Sequence, residues 1–220
     1  TCEWRTPDAP AFPQPPGDER LWALVIGFAA ALAGLVVRRV ALALQPRIER
    51  RRLLLTPLAG LAVAGCAIAF AESTGRSSSE VLFSGQTALP SLVHDAATWT
   101  AGALVLVVLF KSAAYAVTLS CFRGGPVFPS LYIGAAGGIA LSHLPGLPMI
   151  AGAAMGIGAM AAAMLRLPLT AVLLPALLFP SDALSLTPLV IVAVVTTYVL
   201  GARIDPAPAG KALVPEPAPA

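Results

Sequence analysis

Arg123-Gly124-Gly125-Pro126-Val127-Phe128-Pro129 interrupts an otherwise apolar stretch, and Ser130-Leu131-Tyr132-Ile133-Gly134-Ala135-Ala136-Gly137-Gly138 follows it directly. Residues of these types in this order can hold an anion without a charged side chain. Gly124 and Gly125 can take backbone conformations closed to other residues, which lets the chain turn tightly. Pro129 suits the first turn of a helix, where its missing N–H is harmless. The amides at the start of that helix have no intrahelical acceptor, and the helix dipole adds partial positive charge, so together they make a cradle for an anion. Groups for bond-making chemistry do not accompany the motif. His94 and His143 are isolated and close to loops, and no carboxylate pair or nucleophile with an adjacent base is present. The expectation is a binding site and not an enzyme, with no metal and no cofactor.

Other conspicuous residues have two uses each. Lys111 falls in the middle of the apolar run Ala96–Leu119. An intramembrane charge can line an anion path; a lysine can equally snorkel or cap a cluster of buried carbonyls. Arg166, just before Leu-Pro-Leu-Thr, reads as an interfacial anchor. Met155, Met160 and Met164 read as helix packing. Cys2, Cys66 and Cys121 show no spacing pattern, so neither a disulfide framework nor a zinc site is expected.

The elements that must position these residues follow from composition. Of 220 residues, 57% are hydrophobic and 11% charged, against roughly 25% charged in an ordinary soluble domain. Mean hydropathy is +0.82. A soluble globule and a disordered chain are both excluded, which leaves an integral membrane protein. The net charge of +3 does not point to nucleic acid: six of the fourteen basic residues lie between Arg38 and Arg52, as a cytoplasmic flank does under the positive-inside rule.

Residues 1–20 are polar and rich in proline and read as an aqueous tail. The chain opens on Thr1, which reads as a fragment or a processed chain. The membrane domain is expected over 21–201. Its first span is Leu21–Leu44, about 36 Å long at ~1.5 Å per residue, followed by a basic turn at Gln45–Arg52. Leu53–Ala71 is a second span, with Gly60 and Gly65 available for close helix contact. Glu72–Asp95 reads as a loop outside the hydrocarbon and Ala96–Leu119 as the third span. Ser130–Ser142, Met149–Leu165 and Leu167–Phe179 are apolar but short, and Ala183–Leu200 is the last span. Residues 202–220 are a Pro/Ala-rich tail expected to be disordered. Short segments broken by Gly and Pro are tolerated in a membrane where their backbone is buried in protein or lines a cavity, and such helices commonly aim their N-termini at an ion. The same pattern also fits a crowded bundle of kinked helices with no site.

Gly124–Gly138 resembles the second-half signature of CLC-type chloride channels and proton-coupled chloride transporters, in which Gly-x-Phe-x-Pro precedes a Gly- and Ala-rich helix. Ala153–Leu173 is similar to that family's Gly-Met-x-Ala-x-x-Ala…Arg-x-Pro-Leu-Thr segment. Leu21–Gly34 fits the long Gly-rich helix that opens its later half. The resemblance implies an all-α integral membrane fold: a bundle of tilted and broken transmembrane helices corresponding to the second of two inverted repeats. It implies passage of chloride or another small anion, with chloride as the transported ion. It further implies a homodimer in the lipid bilayer of the cell (plasma) membrane, and a first repeat that completes the pore; no motif of that repeat occurs here.

Family members direct two backbone amides of the loop at the central chloride. Laid residue by residue, these fall on Pro126 and Val127, with the aromatic one place later at Phe128. Pro126 has no N–H, so Phe128 is the candidate replacement donor, and the expected anion site is Gly125, Pro126, Val127 and Phe128. The family's late tyrosine has no counterpart, since no Tyr follows Gly201. Two other readings stay open: a different secondary transporter with broken helices, and a membrane scaffold that transports nothing.

Overall fold

The computed structural model describes residues 17–121, 125 and 127–205. Arg123, Gly124 and Pro126 lie outside the described residues, as do most of the two terminal segments. The described chain is helical, without strands. In order it runs α1 (Gly17–Arg50), α2 (Arg52–Thr74), α3 (Ser79–Leu82), α4 (Ala88–His94), a 3-10 turn (Ala96–Thr98), α5 (Ala101–Cys121), α6 (Val127–Leu141), α7 (Met149–Leu165), α8 (Pro168–Leu178) and α9 (Ala183–Ile204). Four of these are long and apolar enough to cross a membrane: those within Glu19–Arg50, Leu53–Thr74, Ala101–Cys121 and Ala183–Ile204.

Two expectations are corrected here. The basic turn at Gln45–Arg52 is instead the continuation of α1, which runs through Pro46 to Arg50. Proline removes one helical N–H and crowds the preceding turn, but Arg47 ties its side chain to that turn, donating from Nη1 to the Ala43 carbonyl at 2.7 Å. Only Arg51 leaves the helical region, at φ −139° and ψ 52°. The segment Glu72–Asp95 is not one loop. It holds the end of α2, closed by Gly75 at φ 68° with its N–H on the Ala71 carbonyl, and then α3 and α4. Buried Val81, Leu89 and Leu92 anchor these short helices to the bundle.

Packing is tightest between α6 and α7. Gly134 lies against Gly156 and Gly138 against Gly152, an antiparallel register in which a Cβ on any of the four would run into the partner's backbone carbonyl. Gly60 and Gly65, expected at a helix contact, meet nothing within 4 Å. They sit on α2, whose Leu53, Leu58 and Leu61 are exposed, as suits a lipid-facing helix. α1 runs parallel to α9: the Thr197 hydroxyl donates to the Gly27 carbonyl at 2.8 Å, and farther along Arg38 reaches Asp205. The core is built on α5, α6 and α7, where Leu104, Tyr132, Ile139, Met155 and Ile157 are closed to solvent.

Candidate functional site

The motif residues sit where α5 gives way to α6. Pro129 occupies the first turn of α6, which begins at Val127, earlier than the Ser130 expected from sequence. Val127 and Phe128 carry first-turn N–H groups, which a helix cannot satisfy internally. The Ser130 hydroxyl is buried and donates to the Val127 carbonyl at 2.6 Å.

This turn stands between two cavities. One, of about 210 Å³, is lined by Gly125 and Pro129 together with Ser84, Lys111, Tyr115 and Thr118. The other, of about 540 Å³, is bordered by Val127 and Phe128 with apolar walls that include Leu131, Leu174 and Phe179. Among their described lining residues there is no Asp or Glu, and Lys111 carries the one full charge. A Cβ on Gly125 would meet nothing within 4 Å, and its lack of a side chain keeps the smaller cavity open.

Lys111 is buried at 2% exposure. Its ammonium donates to the Glu80 main-chain carbonyl and, at 3.0 Å, to that of Phe83, and it lies 4.3 Å from the centre of the Tyr132 ring. The last carbonyls of a helix lack intrahelical donors, so Lys111 caps α3 from across the bundle while its charge borders the smaller cavity. The Tyr132 hydroxyl donates to the Glu80 carboxylate. Glu80 and Tyr132 were not singled out from sequence, because Glu80 lies in the stretch read as a loop.

The remaining sequence expectations have clear places. Arg166 takes a left-handed conformation, φ 57°, and donates to the Asp205 carboxylate at 2.7 Å. Met155 and Met160 are buried in the core. His94 is exposed beside Asp95, whereas His143 faces the Ile139 and Trp99 carbonyls. No grouping of His, Cys, Asp and Glu suited to a metal occurs among the described residues.

A family model described as voltage gated chloride channel matches residues 6–201 of the chain. No curated protein and no solved structure matches it.

Proposed function

The chain belongs to the voltage gated chloride channel family, and from that premise we propose that the first turn of α6 holds a small anion, chloride first, on its way across the membrane. As an all-α, multi-pass membrane protein of a family of channels and transporters, it has the setting this requires. One observation carries the reading. First-turn amides of α6, which lack intrahelical acceptors, border two cavities, one of which has the Lys111 ammonium in its wall.

The roles are then as follows. The N–H groups of Val127 and Phe128 supply the hydrogen bonds, while Pro126, lacking one, supplies none. Gly125 leaves room beside them. Lys111 contributes a fixed positive charge, held away from direct contact by the carbonyls it caps; such a charge acts at longer range in low dielectric than it would in water. The chain corresponds to the second of the family's two inverted repeats and works as a homodimer in the plasma membrane. These finer assignments rest on the resemblance of Gly124–Gly138 and Ala153–Leu173 to the family's motifs.

The test is chloride and bromide binding by calorimetry on the complete gene product in detergent, for the natural sequence and Gly125→Val. Valine should fill the smaller cavity and weaken binding at least tenfold with helix content unchanged. Equal binding by both proteins would move the anion elsewhere.

A further inference from the structure

A third cavity lies at the end of the bundle where α1, α7 and α9 converge. It measures about 390 Å³ and is lined by Arg38, Ala163, Arg166, Thr197, Tyr198 and Gly201 among others. Arg38 and Arg166 bring two positive charges to it, and Asp205 returns one negative charge. Asp205 is committed chiefly to Arg166, whose Nη2 donates to both the Asp205 carboxylate, at 2.7 Å, and its main-chain oxygen, at 2.8 Å. The same carboxylate oxygen is 3.3 Å from Nη2 of Arg38. The Nε of Arg38 is buried and has no partner.

Nε and Nη2 form the side edge of a guanidinium, the edge that grips an oxyanion with two parallel N–H groups. In Arg38 that edge is half used. A buried N–H left without an acceptor is costly, and a bound water or ion is one way to satisfy it. Net positive charge, a guanidinium edge with one N–H unpartnered and ample volume favour a tetrahedral oxyanion over a halide. Arg39 and Arg47 extend the basic surface along the same half of α1. Basic pockets between transmembrane helices at a cytoplasmic face are suited to phosphorylated headgroups.

We propose that Arg38 and Arg166, with the unpartnered Nε of Arg38 as a donor, form a binding site for a phosphate group at the cytoplasmic end of α1, α7 and α9. Its source is either a phosphorylated lipid headgroup or phosphate free in solution. The site does not depend on the α6 reading, since it shares no residue with it.

The experiment places the full chain in phosphatidylcholine nanodiscs and follows thermal unfolding in two arms. Inorganic phosphate is titrated in one; in the other a monophosphorylated phosphatidylinositol is included in the nanodisc and free phosphate is omitted. A stabilisation in the first arm identifies a soluble ligand, and one confined to the second identifies a lipid. Arg38→Gln and Arg38→Lys should each weaken the response roughly tenfold or more, because lysine restores the charge without the fork. Arg50→Gln, which alters charge at the same end, should leave it within about twofold. Phosphorus NMR line broadening on the unsubstituted protein gives a readout that needs no variant to fold. No stabilisation and no broadening with either probe would overturn the proposal, and so would equal losses in Arg38→Gln and Arg50→Gln.

Discussion

The Lys111 ammonium stands 4.3 Å above the Tyr132 ring, and Tyr132 passes its own hydroxyl to the Glu80 carboxylate. Residues from α3, α5 and α6 thus close into one part-buried polar cluster. Hydrogen bonds to a charged donor are worth more than neutral ones, so the cluster holds α3 against the bundle more firmly than its four residues could by apolar contact.

Replacing Lys111 by Met keeps the apolar stem and strips the donor from two carbonyls. The expected loss is about 1–3 kcal/mol, the cost of leaving two part-buried acceptors without their charged donor. Thermal unfolding in detergent, read by circular dichroism, should show a clearly lowered midpoint. An unchanged midpoint would refute the capping role. Anion affinity should fall as well, since the cavity beside Gly125 loses its charge.

Pro126→Ile adds the N–H that proline lacks. A charge-assisted hydrogen bond is worth about 1.5–3 kcal/mol, or roughly ten- to a hundredfold in affinity. Bromide calorimetry on the complete protein should show tighter binding. If affinity does not rise, the donors at Val127 and Phe128 already saturate the anion.

Gly138→Ala and Gly60→Ala make a matched pair. At Gly138 the new methyl meets the Gly152 carbonyl, and overpacking of this kind costs about 1–3 kcal/mol. At Gly60 it meets nothing within 4 Å, and the helix gains roughly 0.5–1 kcal/mol from the better helix former. Unfolding midpoints should therefore move in opposite directions. A common direction would mean that the α6–α7 register is wrong.

Orientation is tested by cysteine labelling. Arg38, Arg166 and Asp205 meet at one end, so the basic end of α1 and the ends of α7 and α9 share a side of the membrane. The positive-inside rule makes that side cytoplasmic. In a cysteine-free background, Ser78→Cys should react with an impermeant thiol reagent applied to intact cells, and Arg50→Cys should not. The reverse pattern would invert the topology.

The fold was legible wherever apolar runs have sharp ends. Met149–Leu165 matches α7 residue for residue, because Pro148 and Arg166 bound it. Legibility failed where a helix is too short to show a period, as in α3 and α4, or where charged residues continue a helix that apolarity has left, as in α1 beyond Leu44. Glycine counts alone also misled. Gly60 and Gly134 look alike in sequence, and only the antiparallel pairing of α6 with α7 decides which has a neighbour. For the candidate site, the loop and Lys111 stood out by residue type. Glu80 and Tyr132 did not, since they are 52 residues apart and their meeting depends on how α3 folds back.

Gly134, Gly138, Gly152 and Gly156 have a consequence for how this chain can change over generations. No residue is smaller than glycine, so any missense change at these four places adds atoms between two backbones already in contact. A pocket lined by side chains can drift through trades of volume, one neighbour shrinking as another grows. Here no such trade exists, because nothing on the opposite helix is left to shrink. The place of the α6 first turn is thereby inherited as a distance between main chains, while the side chains around it remain free to diverge.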